Sequence, residues 1–206
     1  MLLAQRGWRV ALVDRAEFPS DTLSTHFLWQ RGVARLESWG LLSRLTRLGC
    51  APLPELTFDF GGVSITGQPP PVDGVRDSYC PRRTVLDSLL VEAANRAGAD
   101  LIERTPVTGI RWSDGRACGL LIRRADGRSQ SVAAQVVVGA DGRHSSIAKE
   151  AQVTPSRWIP ALTCVYYSYW SGLATRVPVY HMRPGRLILR WPTNRAHLHL
   201  RRLSAI

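Results

Sequence analysis

A carboxylate stands directly after a short apolar segment near the start of the sequence. Residues 8–13 read Trp-Arg-Val-Ala-Leu-Val, and Asp14 follows them. If this segment is a parallel strand, Asp14 lies at its carboxyl end, where open α/β sheets bind their ligands. A carboxylate in that position accepts hydrogen bonds from the hydroxyls of a ribose. The alternative is a solvated carboxylate in an ordinary turn.

A glycine-rich loop follows a second apolar segment, the three valines 136–138, which are typical of a strand covered on both faces. The loop runs Gly-Ala-Asp-Gly from Gly139 to Gly142, and its glycines would let the backbone approach a ligand closely. Asp141 would accept from a sugar hydroxyl, while Ser145 would cap the following short helix or contact a phosphate. The alternative is an ordinary Asp-Gly turn.

The third stretch is Arg82-Arg83-Thr84, which stands at the start of a helical pattern. A guanidinium at the beginning of a helix suits a phosphate, and the threonine hydroxyl adds a donor there. The alternative is an exposed pair of arginines in a loop.

The elements that must position these residues follow from the spacing of apolar side chains. Residues 84–97 carry one apolar stripe and predict an amphipathic helix that Gly98 ends. Helical spacing also covers residues 27–48, with breaks expected at Gly32, Gly40 and Gly49. The remaining predictions are a helix end at 1–5, strands at 8–13, 101–102, 109–112, 118–123 and 131–138, a hairpin at 56–65 and a short helix after 142.

Beyond residue 155 the sequence becomes aromatic and alternating, which predicts a β-rich layer. In the segment 166–170, Tyr167 and Tyr169 should share one face of a strand, opposite Tyr166, Ser168 and Trp170. The stretch 166–170 either lines an apolar pocket or belongs to an ordinary core. Near the end, His197 and His199 share a strand face but lack a third ligand, so no metal site is predicted.

Composition limits the classes of protein that this chain can represent. With 206 residues, 45% hydrophobic and 21% charged, the chain is predicted to be globular, with one large or two small domains. The net charge of +11 raises nucleic acid as a partner, but the arginines are spread along the chain instead of forming an arm, so we do not expect nucleic-acid binding as the main role. Four widely spaced cysteines predict reduced thiols in a cytoplasmic protein, and no apolar stretch is long enough for a membrane span.

Taken together, the motifs resemble those of FAD-dependent monooxygenases and reductases of the aromatic-hydroxylase and geranylgeranyl-reductase type, the group A flavoproteins. The resemblance covers most of residues 1–150 and is carried by Val-Ala-Leu-Val-Asp-Arg at 10–15, Asp-Thr-Leu-Ser-Thr-His at 21–26, the segment 32–42, Arg-Arg-Thr-Val-Leu-Asp-Ser-Leu-Leu at 82–90 and Gly-Ala-Asp-Gly-Arg-His-Ser at 139–145.

The resemblance implies an α/β fold: a partial glutathione-reductase-like, Rossmann-type FAD-binding domain at 1–50 and 80–152, and a β-rich substrate domain at 51–79 and 153–206. It implies FAD as the cofactor, NAD(P)H as co-substrate and a small apolar or aromatic molecule as substrate of a monooxygenase. The cofactor-binding residues would be Asp14, Arg15, Arg83, Gly139, Asp141, Gly142 and Ser145. Thr25 and His26 would lie in a loop near the flavin, either as packing residues or in a catalytic role.

Three departures from the family pattern define a second expectation. The chain starts after the family's Gly-x-Gly-x-x-Gly loop, it stops before the later Gly-Asp motif, and Ala148 stands where the family has Arg. Without the first strand, the inner edges of the sheet would lack a partner, so we expect weak or no FAD binding by these residues alone. Residues 195–206 also depart from the family pattern. The alternative function is a non-catalytic remnant or interaction module of the same fold.

Overall fold

The computed structural model describes residues 1–157, 159–160, 162–173, 177–194 and, for the backbone, 196–204. The chain divides into two units: Met1–Phe18 with Val91–Ile159, and Pro19–Leu90 with Pro160–Ile206. The boundary falls inside one helix, so each unit contains part of it. The domain boundaries predicted from the sequence rest on cofactor and substrate roles, and they stay a prediction.

The first unit opens with helix α1 (Leu2–Gln5) and strand β1 (Ala11–Val13). Gly7, with a φ of 83°, lies between them in a left-handed conformation that favours glycine. Strand β1 pairs in parallel with a later strand of the same unit, Asp100–Ile102, in the register Leu12 to Leu101. The predicted strand at 8–13 is therefore confirmed, although its regular part begins only at Ala11.

Antiparallel strands β5 (Val107–Ser113), β6 (Arg116–Arg123) and β7 (Ser129–Ala133) form a three-stranded sheet. The first of the two connecting turns contains Asp114 and Gly115, both with positive φ, as the Asp-Gly sequence predicts. The second turn contains Gly127, also with positive φ. Two helices belong to the neighbouring sequence: α4 (Arg83–Arg96), which crosses the boundary between the units, and α5 (Ser146–Glu150).

The predicted strand over residues 136–138 is wrong. The last strand of the antiparallel sheet ends at Ala133, and in the described part of the chain no strand pairs with the three valines. Val136 is 70% exposed and Val138 is 72% exposed. An apolar run becomes a strand only when a neighbour satisfies its backbone groups and covers its side chains.

The second unit contains helices α2 (Gln30–Ser38) and α3 (Leu42–Arg47). Their buried side chains include Val33, Leu36 and Leu45, which follow the helical spacing of the sequence. Gly40 lies between the helices with a φ of 70°, and this predicted break is confirmed. The break predicted at Gly32 is wrong, because this glycine stays in regular helical conformation within α2.

The second unit also contains a six-stranded sheet. Its order is β3 (Ser64–Gly67), β2 (Leu56–Asp59), β9 (Val179–Arg183), β10 (Arg186–Thr193), β11 (Ala196–Ser204) and β8 (Thr163–Trp170). Among the described strands of this sheet, only β2 and β9 pair in parallel. Strand β11 lies between β10 and β8, so the region that departs from the family pattern is regular backbone within the sheet.

One face of this sheet contributes the core of the second unit. Buried residues Phe27, Leu53, Leu56, Cys80 and Trp191 form a cluster against which Phe58, Tyr169, Tyr180 and Leu189 pack. The predicted alternation on β8 is confirmed, because the rings of Tyr167 and Tyr169 lie 5.9 Å apart on one face while Trp170 Nε1 donates to Ser168 Oγ on the other. Within the described residues, no helix is long and apolar enough to cross a membrane.

Candidate functional site

Asp14 lies at the carboxyl end of β1, as the sequence predicted. Its backbone N–H donates to the carbonyl of Ile102 at 3.0 Å, and its own carbonyl accepts from the N–H of Thr105 at 2.9 Å. Carboxylate Oδ1 accepts from the N–H of Ala16 at 2.8 Å, forming a local turn. Both backbone groups and one carboxylate oxygen are thus fixed by neighbours, and the half-buried side chain keeps its second oxygen for another donor.

The neighbouring Arg15 is exposed. A guanidinium beside a sugar-binding carboxylate would favour an anionic ligand in the same region. The next loop is attached to the sheet by two further contacts: Phe18 donates its N–H to the carboxylate of Glu103 at 2.7 Å, and Arg104 donates its N–H to the carbonyl of Ala16 at 3.1 Å. The chain after Asp14 is therefore held against the end of β4 (Asp100–Ile102).

Asp141 has a structural task that the sequence did not predict. Its Oδ2 accepts from the N–H of Ser146 at 2.7 Å, the hydroxyl of Ser146 at 2.9 Å and the N–H of Ile147 at 3.2 Å. Its Oδ1 accepts from the hydroxyl of Ser145. This carboxylate therefore satisfies donors at the start of α5, and the room for a ligand hydroxyl is limited to the remaining lone pair of Oδ1.

Ser145 is confirmed as the cap of α5, because its hydroxyl oxygen accepts from the N–H of Ala148 at 2.9 Å. The hydrogen bond from this hydroxyl, together with those from Ser146 and Ile147, holds the pKa of Asp141 well below its usual range. Asp141 is consequently a carboxylate throughout the physiological pH range.

Different structural constraints favour glycine at the two positions of the loop, Gly139 and Gly142. A Cβ on Gly139 would lie 2.8 Å from Cγ2 of Ile147 and 3.1 Å from its Cβ, so this position is restricted by packing against α5. Gly142 has a φ of 86° with open space around its α-carbon. Both glycines are exposed, but at Gly139 the side that a Cβ would occupy is filled by Ile147, whereas at Gly142 it is open.

Arg83 is the first residue of α4 and lies in the second unit. Its Nε donates to Oδ1 of the buried Asp87 at 2.7 Å, one helical turn later, and this carboxylate raises the pKa of the guanidinium. Because the contact uses Nε alone, the two terminal nitrogens remain as donors for a ligand oxygen.

Arg82 connects the loop and the sheet of the second unit. Its guanidinium forms an ion pair with Asp21 and lies over the ring of Tyr169, 4.1 Å from the ring centre. Its backbone N–H donates to Oδ1 of the buried Asn194 at 3.2 Å, and Asn194 in turn donates Nδ2 to the carbonyl of Leu48 at 3.2 Å. The sequence offered no signal for Asn194, since it joins residues more than a hundred positions apart.

His26 is buried beside Tyr169. Nε2 of the imidazole lies 2.5 Å from the Tyr169 hydroxyl, whereas Nδ1 is buried and has no hydrogen-bond partner among the described residues. Burial lowers the pKa of His26, and the unpartnered atom costs about 1–3 kcal/mol. The backbone φ of 58° adds strain, because residues other than glycine rarely adopt the left-handed region. Thr25, its neighbour in the sequence prediction, shows no comparable contact in the described part of the chain.

Sequence reasoning missed a charged cluster on the other face of the six-stranded sheet. Oδ2 of Asp59 lies 2.7 Å from Nδ1 of His181 and accepts from Arg183 at 3.0 Å, while Oδ1 accepts from the N–H of Gly61 at 2.8 Å. These donors, Arg183 first, hold the pKa of Asp59 well below its usual range. The alternating pattern of β2 and β9 placed these side chains on one face, but only the parallel register brings Asp59 opposite His181.

The structure thus groups the predicted site residues in two places. Asp14, Arg15, Gly139, Asp141, Gly142 and Ser145 belong to the first unit, and Arg83 belongs to the second. For a nucleotide cofactor, the fixed Asp14 with its spare carboxylate oxygen fits a ribose hydroxyl well. Asp141 fits less well, because capping α5 occupies most of its acceptor capacity. The described residues contain no cluster of three or more histidine, cysteine or acidic side chains that could hold a metal ion.

Comparisons with known proteins agree with this α/β architecture. The sequence profile of the FAD binding domain family matches residues 1–197. A curated relative, digeranylgeranylglycerophospholipid reductase 2 of Methanothermobacter thermautotrophicus, is 33% identical over 129 residues, which cover 58% of this chain and 32% of the relative.

Solved structures show the same fold at lower identity. PqsL of Pseudomonas aeruginosa, a probable FAD-dependent monooxygenase, matches with a TM-score of 0.80 and 20% identity over 98% of this chain and 56% of its own. The myxobacterial chondrochloren halogenase CndH, an FAD-dependent halogenase, matches with a TM-score of 0.81 and 20% identity over 98% of this chain and 48% of its own. The chain therefore spans about a third of the curated relative and about half of these structures.

Proposed function

Because the chain belongs to the FAD binding domain family, we propose that it serves an FAD-dependent oxidoreductase in which Asp14 binds the adenosine ribose of the cofactor. The observation that supports this role most directly is the fixed carboxylate of Asp14, whose backbone is hydrogen-bonded on both sides and whose second oxygen remains for a sugar hydroxyl. Asp14 accepts from the ribose, and Arg15 provides positive charge beside it.

The loop around Gly142 has a supporting role in the same proposal. Its open backbone admits the cofactor chain, while Asp141 and Ser145 keep the loop in shape by capping α5. Gly139 acts through its packing against Ile147, which fixes the start of the loop. Arg83 contributes its two terminal nitrogens to an anionic oxygen of the cofactor, with Asp87 holding the guanidinium in place.

More specifically, we propose that the oxidoreductase is a monooxygenase that consumes NAD(P)H and acts on a small apolar or aromatic molecule. Bound flavin supplies the redox chemistry of such a reaction, and the protein supplies binding, orientation and exclusion of water. The family membership supports FAD, and the aromatic face of β8 with Tyr167 and Tyr169 supports an apolar substrate. A cytoplasmic location, inferred from the cysteines, belongs to the same proposal.

The test compares FAD affinity in two matched variants, Asp14→Ala and Asp126→Ala. Both carboxylates accept from the N–H two residues later, but Asp126 lies in an exposed hairpin turn of the three-stranded sheet. Flavin fluorescence titration should give a dissociation constant about tenfold or more higher for Asp14→Ala, and an unchanged one for Asp126→Ala. Equal constants for the two variants would contradict the assignment of Asp14.

A second measurement addresses the reaction. FAD-dependent oxidation of NADPH or NADH, followed by absorbance with and without small aromatic compounds, should show turnover that rises with an accepted substrate. FAD binding without any oxidation of either nicotinamide would favour the alternative function, a non-catalytic module of the same fold.

A further inference from the structure

Of the two ring nitrogens of His26, one has a hydrogen-bond partner in the structure and the other has none among the described residues. Nε2 meets the Tyr169 hydroxyl at 2.5 Å, and Nδ1 is buried without a partner among the described residues. The whole residue is only 3% exposed. Buried polar atoms are normally hydrogen-bonded, so we look for a partner of Nδ1 outside the described residues.

The surroundings decide which nitrogen carries the proton. Burial and the nearby Asp21 raise the pKa of Tyr169 despite the opposing charge of Arg82 over its ring, so the phenol keeps its proton and can donate it. Among the described residues, Nε2 of His26 is the hydrogen-bond partner of this hydroxyl, and if the phenol donates to Nε2, a neutral imidazole carries its own proton on Nδ1. The charged groups around His26 come from three places and include both signs: Asp21 from the loop, Arg82 just before α4, and Arg83 and Asp87 in α4.

The segment that holds His26 is weakly attached to the rest of the unit. Among the described residues, positions 19–27 make no backbone-to-backbone hydrogen bond to another element. Their attachments are the ion pair of Asp21 with Arg82, the contact of His26 with Tyr169 and the burial of Phe27. A segment held by so few contacts opens at low cost, which gives a ligand access to a buried atom.

Two aromatic side chains near this segment are partly exposed. The rings of Tyr167 and Tyr169 are 5.9 Å apart in an edge-to-face arrangement, and Trp29 contacts Phe27 with ring centres 4.8 Å apart. Tyr167 is 43% exposed and Trp29 is 46% exposed. Planar rings stack well on such surfaces.

We propose that Nδ1–H of His26 donates a hydrogen bond to an oxygen on the planar ring of a bound small molecule, with Tyr169 as the positioning residue that fixes this tautomer. The inference rests on the proposed function, because such an oxygen belongs either to the carbonyl edge of the flavin ring or to an aromatic substrate.

Two substitutions separate the two nitrogens of His26. In His26→Asn the side-chain amide nitrogen occupies the place of Nδ1, and asparagine tolerates the left-handed backbone. In His26→Gln the amide group occupies the place of Nε2 and the Nδ1 donor is lost. The probes are lumiflavin, which lacks the ribityl and adenosine parts and so does not need Asp14, and 4-nitrophenol, whose absorbance reports binding.

We expect His26→Gln to bind the relevant probe about tenfold more weakly than the wild type, and His26→Asn to stay within about threefold. This pattern with lumiflavin identifies the flavin ring as the source of the oxygen, and the same pattern with 4-nitrophenol alone identifies the substrate. Equal effects of both substitutions, no effect of either, or no wild-type binding of either probe would overturn the proposal. The comparison of the two His26 variants can still be interpreted if Asp14→Ala loses FAD binding, because neither probe needs Asp14.

A measurement on the wild-type protein covers the case in which a variant fails to fold. A histidine-selective ¹H–¹⁵N spectrum reports which ring nitrogen of His26 is protonated. A proton on Nδ1 whose resonance shifts on saturation with a probe supports the proposal. A proton on Nε2, or an Nδ1 signal that no probe moves, contradicts it.

Discussion

Gly139 lies against Ile147 so closely that an added Cβ would stand 2.8 Å from Cγ2 of the isoleucine. The glycine of the loop is thus matched to a side chain on α5, and the loop and the short helix form one packed unit. Because Ile147 is branched at Cβ, it has few rotamers with which to make room.

Gly139→Ala should therefore destabilise the protein by about 1–2 kcal/mol through overpacking. Urea unfolding measures the loss. The matched control is Gly62→Ala, since Gly62 has neither a left-handed backbone nor a neighbour within 4 Å. The double variant Gly139→Ala with Ile147→Ala should lose less stability than the sum of its two single substitutions, and strict additivity would refute the contact.

Asp141→Asn should weaken the cap of α5 and reduce the free energy of unfolding by about 1 kcal/mol at neutral pH. The folded-state pKa of Asp141 is depressed, so its stabilising contribution is present above the ordinary carboxyl pKa and is lost as the pH falls through the folded value. The stability difference between wild type and variant should consequently shrink in acid. A difference that stays constant from pH 7 to strong acid would contradict the capping role.

Asn194→Asp should destabilise the second unit by about 2–3 kcal/mol, because the buried donor to the Leu48 carbonyl is replaced by a negatively charged oxygen. Burial raises the pKa of such a carboxyl, and its protonated form donates again, so the deficit should become smaller as the pH falls. Thermal unfolding across pH tests both parts. Asn95→Asp, at an exposed position of α4, should change stability by only a few tenths of a kcal/mol and serves as control.

Leu45 and Leu48 offer a direct test of which face of α3 packs against the core. Leu45 is fully buried and Leu48 is 52% exposed. Leu45→Ala should cost about 2–4 kcal/mol in unfolding free energy, whereas Leu48→Ala should cost less than about 1 kcal/mol. Similar losses at both positions in a chemical denaturation experiment would mean that α3 presents a different face to the core.

The elements that the sequence predicted well are those whose stabilising contacts are local. The amphipathic helix at 84–97 corresponds to α4 (Arg83–Arg96), and the Asp-Gly pairs correspond to hairpin turns. The failure at 136–138 has a physical reason: an apolar run indicates burial, but whether it is a strand depends on a neighbour that the run itself does not encode. Gly32 is similar, because the burial of its α2 neighbours Val33 and Leu36 against the core offsets the low helix propensity of glycine.

The candidate site was predicted only in part, because some of its contacts are local in the sequence and others join distant residues. The position of Asp14 follows from the end of a strand, which is a local feature. The capping role of Asp141 depends on the exact turn that joins the loop to α5, and the contact between His26 and Tyr169 joins residues 143 positions apart. The roles of these residues as cofactor ligands stay predictions.

The exposed side chains of Val136 and Val138 should also make the protein prone to self-association. Side chains that leave about 70% of their area in water favour association between molecules at high concentration, and a chain segment free of pairing partners in the described structure offers its backbone to the same process. Light scattering should therefore rise with protein concentration and fall when charged residues replace the two valines, which makes the double substitution a practical route to samples for spectroscopy.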